Sequence, residues 1–442
     1  MNADLAPILL AGLVAVLAAT TALVMLVRGD LAHAAGDTQV LNGGGQWFLG
    51  AALGIGVIAF AIKLGIILTL SSFPEQTIAP LIPDPADTVP RADGVAALPV
   101  VVVPFAWQTL PPMAPAPADN PTTPAKVVLG ERLFHDAALS RDRTVSCASC
   151  HDVATGVGTD GRPTAIGITG VPGSRNTPTV WNAAFQARLF WDGRARSLEE
   201  QAAGPPLNPN EMGMPSFAAI EERIAADLSY QAAFAQAFGD GEPITMRRIT
   251  QAIAAYERTL VVADSPYDRL VTGDPSALSP EQMRGMGLFR SIGCAMCHSG
   301  PNFSGAAMIG PRNPFAPLVA SRSERARAHG LQTDKGLAGA GSRDGVWRIP
   351  SLRNVALTPP YFHNGSITDL AEAVRVMATA QLGAVISDDP AFLRRGRPMW
   401  SALSQNFTIN GPLVLGSGDI SDLVAFLHAL SSDRLANRAA AR

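Results

Sequence analysis

Two pentapeptides constrain this chain more than anything else in it: Cys147-Ala148-Ser149-Cys150-His151 and Cys294-Ala295-Met296-Cys297-His298. Each reads C-x-x-C-H, the attachment signature of a c-type haem. Two thiols form thioethers to the porphyrin, and the following His lies under the iron as proximal ligand. The 4 cysteines of the chain are all used in these motifs. Disulfides or thioredoxin-like pairs would not need a His after the second Cys. The two halves of a zinc ribbon would sit about 15–20 residues apart, whereas Cys150 and Cys294 lie far apart. Cys147, Cys150 and His151 are therefore read as one covalent haem site, and Cys294, Cys297 and His298 as a second. Haem of this kind is attached on the outer side of a bacterial inner membrane, so the motif-bearing part of the chain is expected in the periplasm.

At 442 residues the chain can hold two or three domains. Its hydrophobic content of 47% is high, and the excess is local. Residues 5–27 carry no charge, long enough to cross a hydrocarbon core of about 30 Å. A second apolar stretch, 47–70, is interrupted only by Lys63. A cleaved signal peptide is the alternative for the first stretch, but Asp4 precedes it and no Lys or Arg does. Residues 1–71 are read as a membrane anchor of two helices, with the 28–46 loop and its Arg28 cytoplasmic. Residues 72–122 are Pro-rich and read as a semi-rigid spacer. The net charge of −3 points to no nucleic-acid partner.

The rest divides into an N-terminal haem domain, 123–264, and a C-terminal one, 265–442. Ile220, Ile224 and Leu228 recur at helical spacing, and residues 247–262 and 419–430 carry the same period. Gly/Pro/Asn-rich loops such as 155–179 and 299–317 lie between, with no sustained β alternation. The expected class is mainly α: two cytochrome c-like haem domains with long loops.

From Leu129 to Leu430 the chain resembles the bacterial dihaem cytochrome c peroxidase family, which includes MauG-like enzymes. The stretches that carry the resemblance are LGERLFHDAALSRDRTVSCASCHD, RNTPTVWNAAFQARLFWDGRARSLEEQA, NPNEMG and IPSLRNVALTPPYFHNGSITDLAEAV, in family order and spacing. The membrane region and the spacer lie outside it.

The resemblance assigns roles. Glu211 in NPNEMG matches the catalytic Glu, a carboxylate that can carry a proton from one peroxide oxygen to the other. Gln201 matches a pocket amide that hydrogen-bonds peroxide. Trp191 matches the tryptophan between the two haems, and Met377 the sixth ligand of the second haem iron; read without the family, Met377 is an ordinary core residue on a helix face with Leu370 and Val374. Asn176, with main-chain oxygens of Thr358 and Pro360, matches an interdomain Ca²⁺ site. His363 falls near the second haem, in no settled role, and His135 takes a packing position. One position departs from the family. A distal His usually precedes the Asn of the RNxPT stretch by eight residues; here that position is Ile168, and no His occurs between His151 and His298. The first haem is expected to be five-coordinate without prior activation.

Together these readings describe a membrane-anchored periplasmic peroxidase. It would reduce H₂O₂ with electrons relayed from the C-terminal haem, supplied by a small cytochrome c, a cupredoxin, or the quinol pool or a respiratory complex. A homodimer stays open, since soluble relatives often dimerise. Two rivals stand beside it: a MauG-like oxidase that modifies a partner protein, and a non-catalytic tethered electron carrier. MauG has Tyr where Met377 stands, and a carrier needs neither Glu211 nor Gln201.

Overall fold

The computed structural model describes residues 107–440, apart from residue 155 and segments 310–313, 390–398, 401–406 and 409–412. The expected spans, 5–27 and 47–70, and most of the Pro-rich segment lie outside the described residues. Among the described residues, no helix is long and apolar enough to cross a membrane.

Helices carry the fold. The principal ones are α1 (Pro124–His135), α2 (Leu198–Ala202), α3 (Phe217–Ala225), α4 (Leu228–Phe238) and α5 (Met246–Glu257). They continue as α6 (Pro280–Ser291), α7 (Leu370–Gln381), α8 (Ser417–Ala429) and α9 (Asp433–Ala440). Their starts are written in the sequence. Thr123 and Ser279 cap α1 and α6, each with Pro at the first helical position, where a missing N–H costs nothing. Asp369 caps α7 through the N–H groups of Ala371 and Glu372. Strands are short. Phe315–Leu318 (β1) pairs antiparallel with Gly345–Arg348 (β2), and Val385–Ile386 (β3) pairs parallel with Val414–Leu415 (β4).

One helical reading needs correction. Ile220 and Ile224 are buried on α3, but Leu228 does not continue their face. Asp227 caps a new helix there, and Leu228, its first residue, is 76% exposed. The local cap overrides the four-residue spacing.

The two halves repeat one design. In the first, α1 crosses α5 so closely that a Cβ on Gly130 would stand 1.9 Å from the Ala252 carbonyl oxygen. In the second, α6 crosses α8, and a Cβ on Gly285 would stand 1.8 Å from the Asp422 oxygen. Between the two helices of each pair the chain forms the same loop. A left-handed Asn (Asn182, Asn354) opens a single 3-10 turn. A left-handed Phe (Phe190, Phe362) comes next, inside the bridges Leu189–Ala195 and Tyr361–Ile367. A capped helix follows, α2 or α7. The Asn182 N–H donates to the Leu260 oxygen (2.9 Å) and the Asn354 N–H to the Leu430 oxygen (3.1 Å), tying each loop to the end of its own last helix.

Each half has its own core. Leu129, Leu133, Phe134, Ile220, Ile249 and Tyr256 pack in the first; Met286, Phe289, Phe303, Tyr267 and Phe426 pack in the second. The chain ends cross between them, so the domain limits drawn from the sequence shift at both ends. Residues 107–122, placed in the spacer, are folded onto the halves. Trp107 packs on Tyr267, Phe303 and Phe426 with ring centroids 6.0–6.3 Å away. Thr109 donates to Asp268 (2.5 Å), and Asn120, 1% exposed, donates to Glu199 (2.7 Å). Apolar and amide side chains scattered among the prolines give this stretch something to bury. Helix α9, placed in the second domain, buries Leu435 completely in the core of the first. Its Arg438 reaches the Val153 oxygen at 2.8 Å.

The glycine crossings generate a prediction. Gly285→Ala forces α6 away from α8 and is expected to lower stability by about 1–3 kcal/mol, the usual range for overpacking. Urea denaturation followed by circular dichroism measures it, and an unchanged midpoint would contradict the crossing.

Candidate active site

Both C-x-x-C-H motifs open onto one cavity of about 700 Å³, lined by Cys147, Cys150 and His151 and by Cys294, Cys297 and His298. The first motif is a single turn of helix capped by Ser146; the second is a 3-10 turn after the left-handed Gly293. Each His sits just past its turn, with its ring fixed from behind. His151 Nδ1 lies 3.3 Å from the Gly158 oxygen, and His298 Nδ1 lies 3.2 Å from the oxygens of Phe303 and Pro350. Carbonyl oxygens only accept, so each Nδ1 carries the proton and each Nε2 keeps its lone pair for a metal. Burial lowers the pKa of both rings, His298 to about 4. Burial also pushes the Cys147 and Cys294 thiols up to about 12 and Cys150 to about 11. Two thiols beside a neutral imidazole on one largely apolar cavity wall fit covalent haem at both motifs.

Glu211 stands in the Asn208–Gly213 turn on this wall. Its carboxylate accepts from Asn208 Nδ2 at 2.8 Å, and the Asn208 oxygen receives its N–H at 3.0 Å. Burial raises the Glu211 pKa, opposed by Arg194 and by the Asn208 hydrogen bond. Gln201, near the end of α2, and Arg194 line the same cavity. Ile168 does not. Its N–H donates to the Glu211 oxygen (2.9 Å), while its Cδ1 packs over Gly213. Within residues 165–173 the wall is reached by Ala165, Gly167 and Gly173, none with a group that can bind iron.

On the same cavity wall, Trp191 Nε1 donates to the Asn176 oxygen at 2.8 Å, and the Asn176 N–H donates to the His363 oxygen at 2.7 Å. Asn176 therefore joins the interhaem loops of both halves. Its Nδ2 donates to the Arg162 oxygen (2.9 Å), which leaves Oδ1 for a ligand, and Thr358 and Pro360 line the cavity with it. Among the described residues, no group of three or more His, Cys, Asp or Glu is gathered for a metal ion. A calcium ion here would rest on amide and carbonyl oxygens. His363, 2% exposed, stacks on Trp347 at 4.0 Å, and its Nε2 is unpartnered among the described residues. Met377 lines the cavity from α7, next to Leu370 and Val374. His135 is exposed at the end of α1, touching the rings of Phe134 and Tyr256.

Sequence reasoning missed one acid. Glu257, the last residue of α5, lines the cavity at 5% exposure, and burial pushes its pKa up to about 8. The signal was the one acidic residue of a helix that is otherwise apolar from Ala252 onward.

A family model for di-haem cytochrome c peroxidases matches residues 124–276. The cytochrome c551 peroxidase of Pseudomonas aeruginosa is 38% identical over 71% of this chain and 80% of its own length. The cytochrome c peroxidase Ccp of Escherichia coli is 37% identical over 70% of this chain; the match spans 59% of that relative's length. Among solved structures, a MauG-like protein associated with microbial copper homeostasis aligns with a TM-score of 0.59 at 30% identity, covering 74% of this chain and 95% of that one.

Glu257 also sets a pH dependence. Its folded pKa of about 8 exceeds the ordinary glutamate value of 4.5, so the folded state holds a proton that the unfolded chain releases. Its contribution to stability is full below pH 4.5 and is lost as pH rises towards 8. Denaturation at a series of pH values should show wild-type stability falling relative to Glu257→Gln across that window; parallel curves would contradict the assignment.

Proposed function

This chain belongs to the family of di-haem cytochrome c peroxidases and MauG proteins, and on that premise we propose that it reduces H₂O₂ to water. The observation that carries the reading is Glu211: a buried carboxyl with a raised pKa, on the cavity wall shared with Gln201 and the first haem motif. When bound, the haem at Cys147, Cys150 and His151 supplies an iron that takes peroxide, and the haem at Cys294, Cys297 and His298 supplies stored electrons.

The chain's own residues do the rest. Gln201 offers an amide that orients peroxide. Glu211 takes the proton from one oxygen and returns it to the leaving one, so that water rather than hydroxide departs. Asn208 holds the Glu211 carboxylate in place at 2.8 Å. Trp191, fixed through the Asn176 oxygen, stands in the path between the motifs. Met377 would complete the second iron, since a thioether raises the potential of a haem that stores electrons. A haem held at Cys147, Cys150 and His151 would find no distal ligand at Ile168, whose side chain packs over Gly213. The same reading includes a Ca²⁺ ion at Asn176, Thr358 and Pro360. It also includes an inner-membrane anchor in residues 1–71, haem domains in the periplasm, and a small cytochrome c, a cupredoxin or a membrane quinol system as donor.

A second reading, a MauG-like oxidase acting on a partner protein, is favoured by the same open position at Ile168, which serves either substrate. Steady-state peroxide reduction with a reduced cytochrome donor separates the readings. Glu211→Gln is expected to cut turnover by about 10²–10⁴-fold, the usual worth of a general acid–base group, with the haem absorption spectrum kept. Equal rates in variant and wild type would remove the proposed mechanism.

A further inference from the structure

Glu257 has no part in the mechanism above, yet it sits on the same cavity wall. It is 5% exposed, and its Oε2 has no hydrogen-bond partner among the described residues. An unpaired buried carboxyl costs stability, and natural structures carry few such groups without a reason.

The internal repeat shows that the fold does not require an acid here. Gly130 meets Ala252 and Tyr256 just as Gly285 meets Asp422 and Phe426. One residue further on, Glu257 of the first half corresponds to Leu427 of the second, and both line the cavity. An apolar side chain therefore satisfies this position in the same architecture. The acid appears only in the half that holds Glu211. Both carboxyls act on the Cys147 thiol, whereas Cys150 feels Glu211 and not Glu257. Glu257 thus lies within electrostatic reach of the first haem motif.

Arg258 and Glu199 face Glu257, as do Cys147 and Tyr256, which it influences in turn. Behind them runs a polar chain. Arg258 and Asn120 both donate to Glu199 at 2.7 Å, and Lys126 donates to Asn120 at 3.0 Å. Burial keeps the Glu257 carboxyl protonated at neutral pH.

We propose that Glu257 is a second proton-handling acid of the first haem site, delivering protons from solvent to the cavity during peroxide reduction. The proposal rests on the peroxidase reading. Each H₂O₂ reduced to two waters consumes two electrons and two protons. The electrons come from the external donor and the protons from solvent. Glu211 can move a proton between the two peroxide oxygens but does not replace those consumed. The Glu257 O–H breaks towards the cavity, and the carboxylate left behind regains a proton from solvent.

The test uses the haem-loaded full chain with H₂O₂ and reduced cytochrome. Glu257→Gln is expected to lower turnover at least about tenfold, below the full worth of a direct general acid, with a larger solvent deuterium effect. Glu257→Asp should recover most of the rate. Glu257→Leu, which copies the second half, should fold and lose turnover like Glu257→Gln. Independently of turnover, infrared spectra in D₂O should show a protonated-carboxyl C=O band in the wild type that Glu257→Gln lacks. Wild-type rates in Glu257→Gln, or no band lost, would overturn this proposal alone. A wild type that does not reduce peroxide would overturn the peroxidase reading and this route with it.

Discussion

Two helix crossings, each closed down to backbone contact by a single glycine, hold the site in place. Gly130 lets α1 lie on α5, and Gly285 lets α6 lie on α8. The first helix of each pair runs into a haem motif, and the second presents wall residues to the cavity: Ile253 and Glu257 from α5, Leu423 and Leu427 from α8. A shift of either pair would move a proximal His and the wall facing it together. The carbonyls behind His151 and His298 then settle which ring nitrogen is left for iron.

One design used twice makes the differences informative. Trp191 and His363 occupy matching places after a left-handed Phe, and Asn176 bonds to both. The indole donates to that Asn, while the imidazole stacks on Trp347 with an unpartnered Nε2. Helix α2 brings Gln201 to the cavity and α7 brings Met377. Both carboxyls on the cavity wall, Glu211 and Glu257, come from the first half; the second adds Met377, leucines and arginines but no acid. That contrast is the one the proposed division between a proton-consuming and an electron-storing site calls for.

Much of this was legible in the residues. The haem motifs depend on local chemistry, which a sequence carries on its face, and Glu211 was picked out by the resemblance of NPNEMG to the family. What escaped was set by contacts between distant segments. Leu228 kept helical spacing, but Asp227 ended the helix. Trp107 and Asn120 lay in a Pro-rich stretch whose composition hid their burial, and Leu435 packs into the half it does not follow in sequence. Glu257 looked like any helix charge until Leu427 appeared in the matching place. Gly130 and Gly285 carry no sign of their role until the helices they touch are known.

On the proposed reading, haems bound at the two motifs would be unequal: the first without a distal ligand at position 168, the second closed by Met377. Electron paramagnetic resonance of the oxidised, haem-loaded protein as isolated reads this directly. The account predicts one high-spin ferric signal and one low-spin His/Met signal in equal amounts, with the low-spin His/Met species lost in Met377→Ala. Two low-spin haems in the wild type would contradict it.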